Sequence, residues 1–252
     1  MCGARPVIAV LGASNVVLGL PELIATVRGA TGEAHDLLVA GGHGRSYGLR
    51  TRVLGRGLPS IRESGILEDL RRLAGDSDVV HLAVTDIGND VAYGVPPGEI
   101  LGWIEECLAA RPPGATTSLG LPPTAVLSGR SDRALRLLRT AFFPSARGLP
   151  IDVLRARLAE LERGLRGLAI EVDRLVEPAI EWYGWDPLHV RRRDRACAWC
   201  RHLGDDARPA RPGAAERWAR LARPARWSLF GLELGQRQPA RVFADGSRLF
   251  LL

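Results

Sequence analysis

The chain has 252 residues, of which 46% are hydrophobic and 25% charged, a composition that predicts one large α/β domain with or without a small appendage. No apolar run reaches the roughly 18–20 residues of a membrane-spanning helix, and the apolar N-terminal segment is too short for a secretion signal. The sequence therefore favours a cytoplasmic protein without a membrane span. The net charge of +6 arises near the end, where residues 191–252 hold 14 arginines against six acidic residues. Their dispersal among Pro, Ala and Trp favours a solvated surface over nucleic-acid binding.

Short apolar runs alternate with longer amphipathic ones, which is the pattern of strand–helix units around a parallel sheet. Strands are predicted at 6–12, 35–41, 78–86, 116–121 and 168–173, and helices at 20–29, 58–75, 96–111 and 150–167. From about residue 205 the chain is rich in Pro and Arg, with a short helix predicted at 214–223 and a hairpin around Asp245-Gly246. These features predict a main domain over 1–204 with a five-stranded, mostly parallel sheet, and a C-terminal extension over 205–252 that ends in a β-hairpin.

Four polar stretches follow predicted strands or close the main domain. They are GASN at 12–15, GGHGRSYG at 41–48, DIGNDVAYG at 86–94 and DPLH at 186–189. In a parallel α/β sheet, ligands bind beyond the carboxyl ends of the strands, so these stretches are expected to converge in space.

The residue types in these stretches suit acyl transfer. A serine hydroxyl needs a base, the base needs an orienting carboxylate, and the tetrahedral intermediate needs fixed hydrogen-bond donors for its oxyanion. His189 can be the base and Asp186 its orienting group, because a tight turn brings residues three apart together. The N–H groups of Ser14 and Gly44 and the side-chain amide of Asn89 can supply the oxyanion donors.

This ordered set, over roughly residues 6–200, resembles the SGNH (GDSL-type) hydrolase superfamily. The resemblance implies a three-layer α/β/α flavodoxin-like domain, no metal and no organic cofactor. It implies that Ser14 is the nucleophile, that Asp186 and His189 complete the triad, and that Gly44 and Asn89 complete the oxyanion hole with Ser14. The expected activity is hydrolysis of acetyl or short-chain acyl esters of a small molecule or saccharide.

One position departs from the family pattern. The usual Gly-Asp-Ser is Gly12-Ala13-Ser14 here, so the local hydrogen bonding around the serine must differ. The missing aspartate is not a member of the triad, so its absence does not exclude catalysis.

The remaining candidate residues, for substrate contact and for metal binding, lie in less specific sequence patterns. Tyr93 and Trp185 are predicted to contact the substrate, with core packing as the alternative. Cys197 and Cys200, with His202 nearby, have the spacing of half a zinc site, but the sequence does not offer a convincing set of four ligands, and two reduced thiols are the preferred interpretation.

Besides an adaptor that binds nucleic acid or a membrane through the basic C-terminal region, two alternative functions remain open. Gly44 to Gly48 spells G-x-S-x-G, which would make Ser46 the nucleophile of an α/β-hydrolase. Only two strands precede Ser46, whereas that nucleophile normally follows several strands and an upstream oxyanion loop. The other alternative is a catalytically inactive binding protein of SGNH fold, in which Ala13 marks lost activity.

Overall fold

The computed structural model describes the chain with short gaps. The described residues are 5–32, 34–53, 55–75, 77, 79–133, 136–137, 149–204 and 207–252. None of the helices in these ranges has the length and apolar character needed to cross a bilayer.

A seven-stranded sheet forms the centre of the molecule. Its strands are β1 (Val7–Leu11), β2 (Asp36–Ala40), β5 (Val80–Val84), β6 (Thr116–Gly120), β7 (Arg174–Val176), β10 (Arg241–Val242) and β11 (Arg248–Leu251). They lie in the order β10-β11-β2-β1-β5-β6-β7, and every neighbouring pair is parallel except β10 with β11. Because β1 and β5 are central, they are apolar almost throughout, as strands buried on both faces must be.

Helices cover both faces of this sheet. The helices are α1 (Ser14–Leu18), α2 (Leu20–Thr31), α3 (Ile66–Ala74), α4 (Asn89–Ala92), α5 (Pro97–Ala109), α6 (Thr124–Ser128), α7 (Ile151–Gly167), α8 (Arg195–Leu203) and α9 (Ala214–Trp218). On one face of the sheet, α3, α5 and α7 form an apolar core with alternate residues of β1. On the other face, α2 and α8 form a second core with the remaining residues of the same strand. The arrangement is an α/β fold with helices on either side of a mostly parallel sheet.

A second, smaller sheet is antiparallel. Its strands, in spatial order, are β3 (Thr51–Val53), β4 (Arg56–Leu58), β8 (Arg226–Leu229) and β9 (Leu232–Gly235). Because β3 and β4 follow β2 directly in the chain, this sheet stands beyond the carboxyl end of β2.

The structure corrects the predicted count of five strands. The C-terminal hairpin exists, but β11 pairs in parallel with β2 and so extends the main sheet. The reason is burial: Leu249, Phe250 and Leu251 enter the two cores and cover what would otherwise be a bare edge of β2. The division of the chain at residue 204 stays a prediction, although the extension supplies strands to both sheets.

Two predicted elements are displaced. The strand predicted at 168–173 is a 3-10 helix over Leu168–Glu171, and the strand begins at Arg174 instead. Ile170 is 93% exposed, so the apolar run there does not mark a buried strand. The helix predicted from residue 58 begins at Ile66, because Leu58 belongs to β4.

A buried ion pair ties the extension to the main sheet. The Asp36 carboxylate at the start of β2 is buried, and Arg248 Nε donates a hydrogen bond of 2.7 Å to it from the start of β11. A more distant cation, Arg5, lies 3.9 Å from the same carboxylate. Removing the Arg248 guanidinium would leave Asp36 without its close partner in a place that water hardly reaches.

We expect Arg248→Met to lower the free energy of unfolding by about 2 kcal/mol, less than for a fully buried pair because Arg248 is partly exposed. Urea unfolding at neutral pH measures the change. Arg166→Met is the matched control, since Arg166 pairs with Glu162 on the surface of α7 and should cost at most about 0.5 kcal/mol. Equal effects of the two substitutions would show that the Asp36–Arg248 pair does not anchor the extension.

Candidate active site

Ser14 lies in a tight turn directly after β1. Gly12 precedes it, and a Cβ at that position would come within 2.5 Å of a Val16 methyl group, so the turn requires glycine. The N–H groups of Ala13 and Asn15 donate hydrogen bonds of 2.9 and 3.0 Å to Asp86 Oδ2. The Ser14 N–H between them has no hydrogen-bond partner among the described residues and is available to a ligand.

Ser14, His189 and Asp186 form a continuous hydrogen-bonded chain. Ser14 Oγ lies 3.0 Å from His189 Nε2, and His189 Nδ1 lies 2.6 Å from Asp186 Oδ2. Burial raises the pKa of Asp186, but hydrogen bonds from His189 and the Leu188 N–H outweigh it and bring the pKa below its ordinary value. The carboxylate is therefore ionised at neutral pH and can hold His189 with Nε2 facing the serine.

The side chain of Asn15 joins the serine turn to the histidine loop. Its Nδ2 donates to Leu188 O at 3.0 Å, and its Oδ1 accepts from the Val190 N–H at 2.9 Å, so it binds the backbone on both sides of His189. The same Nδ2 donates to Asp86 Oδ1 at 2.7 Å.

Through its carboxylate, Asp86 holds the turn that contains Ser14. It accepts three hydrogen bonds from the Ser14 turn while its backbone has a φ of +58°, a region that residues other than glycine seldom adopt. Sequence reasoning missed this residue, although it opens the DIGND segment that supplied Asn89. Its position directly after the third predicted strand was the available signal.

The role of Asn89 as an oxyanion donor stays a prediction, and its side-chain amide lies where that role would place it, beside Ser14. It begins α4, and its Nδ2 is buried without a hydrogen-bond partner in the part of the chain that the structure describes. It lines the same cavity as Ser14. Because Asn89 lines the cavity, a ligand bound there is a candidate acceptor for this amide.

Gly44 lies beside this site, but the structure does not place it in the cavity wall. Its φ is +63°, and its carbonyl accepts a 2.6 Å hydrogen bond from Tyr93 Oη. The loop that carries it contacts the serine turn through the Gly42 N–H, which donates to Ala13 O at 3.3 Å. A direct contact of Gly44 with an oxyanion remains a prediction.

Neither of the two aromatic residues predicted to contact substrate lines the cavity beside Ser14. Tyr93 packs against the Gly44 loop, and burial raises the pKa of its phenol to about 12. Trp185 is 83% exposed and does not contribute to the cavity wall. Trp182 and Tyr183, which lie just before Trp185 in the chain, line the cavity instead.

Ser46 is committed to a structural role. It is fully buried, and its hydroxyl donates to Asp90 Oδ1 while accepting the Leu49 N–H at 2.8 Å. Burial raises the pKa of Asp90 to about 6, although the hydrogen bonds from Ser46 and the Tyr47 N–H oppose the rise. The α/β-hydrolase alternative fails here, because Ser46 has no histidine beside it and no access to the cavity.

A largely apolar cavity opens beside Ser14. Its volume is about 1240 Å³, including the open mouth. Side chains from β6, α6, α7, β7 and the segment that follows them supply most of the apolar wall. These are Leu121, Leu127, Leu154, Leu158, Val176 and Trp182.

A second serine–histidine contact lies behind the cavity. His202 Nδ1 is 3.0 Å from Ser118 Oγ, which also lies 3.3 Å from His81 Nε2. Ser118 is fully buried and does not line the cavity, so it cannot meet a ligand there. Burial and the nearby charges of His81 and Arg174 lower the pKa of His202 to about 3. His202, weighed above as a zinc ligand with Cys197 and Cys200, thus has its Nδ1 engaged by Ser118.

No family model and no curated protein matches the chain. Among solved structures, TesA is similar at 15% identity and a TM-score of 0.43, over 77% of this chain and 93% of that one. A structure described as a platelet activating factor from Streptococcus pneumonia has 16% identity and a TM-score of 0.43, over 79% and 83%. The psychrotrophic esterase EstA from Pseudoalteromonas sp., inhibited by monoethylphosphonate, has 16% identity and a TM-score of 0.37, over 77% of this chain and 93% of that one. Similarity at this level assigns no activity to this chain.

The lowered pKa of His202 predicts acid lability. Between pH 6.5 and about 3 the unfolded chain binds a proton at this histidine and the folded chain does not, so stability falls as the pH falls through this window. The contribution is at most about 1.4 kcal/mol per pH unit. His202→Gln should flatten the curve of unfolding free energy against pH, measured by urea unfolding from neutral to acid pH. A curve parallel to that of the unaltered protein would rule His202 out as the cause.

Proposed function

We propose that the protein is a serine hydrolase that cleaves carboxylic esters. The observation that carries the proposal is the hydrogen-bonded chain Asp186–His189–Ser14 at an apolar cavity. Each group has the chemistry that acyl transfer needs, and the two distances, 2.6 and 3.0 Å, are those of working hydrogen bonds.

In the acylation step, Ser14 Oγ attacks the ester carbonyl while its proton passes to His189 Nε2. Asp186 stabilises the resulting imidazolium. The tetrahedral intermediate collapses when His189 returns the proton to the departing alkoxide, which leaves as the alcohol. Water then attacks the acyl-serine ester with the same histidine as base, and the carboxylic acid is released.

The negative oxygen of the tetrahedral intermediate needs donors that do not have to rearrange. The Ser14 N–H and Asn89 Nδ2 both lie at the cavity without partners in the described ranges. Donors held in this way stabilise the transition state more than the ground state, and loss of one typically costs about 10²–10³-fold in kcat. We assign this role to both groups.

The cavity wall favours an apolar acyl group longer than acetyl. The leucine and valine side chains of this wall carry no polar atoms, and burying each CH₂ of an acyl chain against them contributes about 0.8 kcal/mol. An acetyl group would contact only part of this apolar wall. The proposed substrates are therefore esters of medium-length fatty acids.

We expect the purified protein to hydrolyse p-nitrophenyl octanoate with a higher kcat/KM than p-nitrophenyl acetate. Ser14→Ala should lower kcat by about 10³-fold or more for both esters, because it removes the nucleophile. Release of p-nitrophenol in initial-rate assays measures both effects.

The matched control for this substitution is Ser77→Ala, which removes a serine hydroxyl far from the cavity in a surface turn. It should keep full activity. If Ser14→Ala retained the activity of the unaltered protein, Ser14 would not be the nucleophile. If neither ester were cleaved, the proposed reaction would be wrong.

The contacts of Asn15 predict a positioning role. Asn15→Ala should lower kcat by about 10²-fold with little change in KM, because the triad loses its alignment while the acyl cavity stays intact. Gln236→Ala removes an amide whose oxygen accepts the Arg223 N–H on the surface, and it should leave both constants unchanged. An unchanged kcat in a folded Asn15→Ala protein would show that the two loops hold their relative position without this amide.

A further inference from the structure

The turn between β8 and β9 presents apolar side chains to solvent. Leu229, Phe230 and Leu232 are 38%, 82% and 67% exposed, and we refer to these three residues as the apolar tip. Large apolar side chains are scattered singly over most protein surfaces, whereas three within four residues at a protruding turn form a patch.

The apolar tip is held in a fixed conformation. Phe230 has a φ of +48°, and its N–H donates a 2.8 Å hydrogen bond to Gly55 O in the turn between β3 and β4. Its ring lies over Gly55 so closely that a Cβ there would come within 2.4 Å of it. An aromatic residue seldom adopts a left-handed conformation, so the fold keeps Phe230 at the tip at some cost in strain.

The surface around the tip is strongly basic. Residues 49–58 and 223–237 contain six arginines and a single acidic residue, Glu233. Glu233 pairs with Arg50 at 3.2 Å, which leaves an excess of positive charge. Arg56 and Arg223 stack on the Trp227 ring, at 5.2 and 5.9 Å from its centroid. Stacking of this kind fixes the guanidinium groups without neutralising them.

The tip stands on the same edge of the main sheet as the Ser14 site. The small sheet follows the loop after β2, and a Cβ at Gly44 would come within 2.7 Å of a Val53 methyl group in β3. His43 lies between the two regions: its pKa is lowered first by burial and then by the charges of His189 and Arg56.

We propose that the apolar tip and its surrounding arginines dock the protein on anionic phospholipid surfaces, with the mouth of the Ser14 cavity on the same side. The apolar side chains would enter the boundary between headgroups and acyl chains, and the arginines would pair with lipid phosphates. A nucleic acid would need the arginines but not the tip. A second copy of the chain would bring one basic surface against another.

Vesicle co-sedimentation tests the docking. We expect binding to vesicles of phosphatidylcholine with about 30 mol% phosphatidylglycerol and little binding to phosphatidylcholine alone. The affinity should fall at least tenfold as salt rises from about 0.05 to about 0.5 M, because the charge interactions are screened. Ser14→Ala protein should bind as well as the unaltered protein, so a failure of docking is distinguishable from a failure of the proposed reaction.

Two pairs of variants separate the apolar and basic contributions. Phe230→Asn keeps a residue that tolerates the left-handed conformation, and it should weaken binding about tenfold. Ile170→Asn, at an equally exposed residue that precedes β7 on the opposite edge of the sheet, should have no effect. Arg52→Glu should weaken binding severalfold, and Arg163→Glu on the exposed side of α7 should not.

Several outcomes would overturn the proposal. These are equal binding to both vesicle types, no binding at low salt, and equal loss in the Ile170→Asn control. Binding to duplex DNA that depends on Arg52 but not on Phe230 would identify a nucleic-acid surface instead. A dimer that dissociates in Phe230→Asn, without vesicle binding, would assign the tip to self-association.

Discussion

The position of the histidine relative to the serine depends on one side-chain amide. Three loops from distant parts of the chain meet at Asn15, which binds the backbone at Leu188 and Val190 and the carboxylate of Asp86. The three loops follow β1, β5 and β7 in the chain. Other contacts could hold each loop by itself. Asn15 uses both of its polar atoms across these loops, so a shift of any one of them breaks a hydrogen bond. The 3.0 Å contact between Ser14 and His189 follows from this constraint.

The sequence predicted the parts of the site that depend on local geometry. Asp186 and His189 are three residues apart in a turn, and Ser14 follows a buried strand, so both placements could be read from the chain. The partnership of Asp86 with Ala13 and Asn15 spans more than 70 positions, and no local pattern indicates it. It depends on β1 and β5 being neighbours in the sheet. Only the strand order brings Asp86 to the turn that contains Ser14.

The same distinction explains the wrong strand count and why the pattern around Ser46 left an alternative nucleophile open. Asp245-Gly246 marks a hairpin, but which strand edge the hairpin joins is decided by burial of Phe250 and its neighbours against distant helices. The G-x-S-x-G pattern is real, yet its serine faces Asp90, a residue of the DIGND segment 44 positions away. That segment therefore fixes two loops through its two aspartates and offers its asparagine to the cavity. A motif defined by spacing alone cannot reveal which of these roles each residue has.

Buried polar groups without hydrogen-bond partners distinguish a ligand-binding site from a cavity that is only a packing feature. The chain contains only two asparagines, Asn15 and Asn89, and both lie in the cavity wall. Asn15 has partners for both of its polar atoms, whereas Asn89 Nδ2 is buried without a partner among the described residues. An unsatisfied buried donor costs about 1–3 kcal/mol, and stability alone would favour an apolar residue there. The part of the wall that α6, α7 and β7 supply is apolar, and the amide of Asn89 is a buried donor beside Ser14. In the reaction that we propose, a negative oxygen formed at Ser14 would offset this cost.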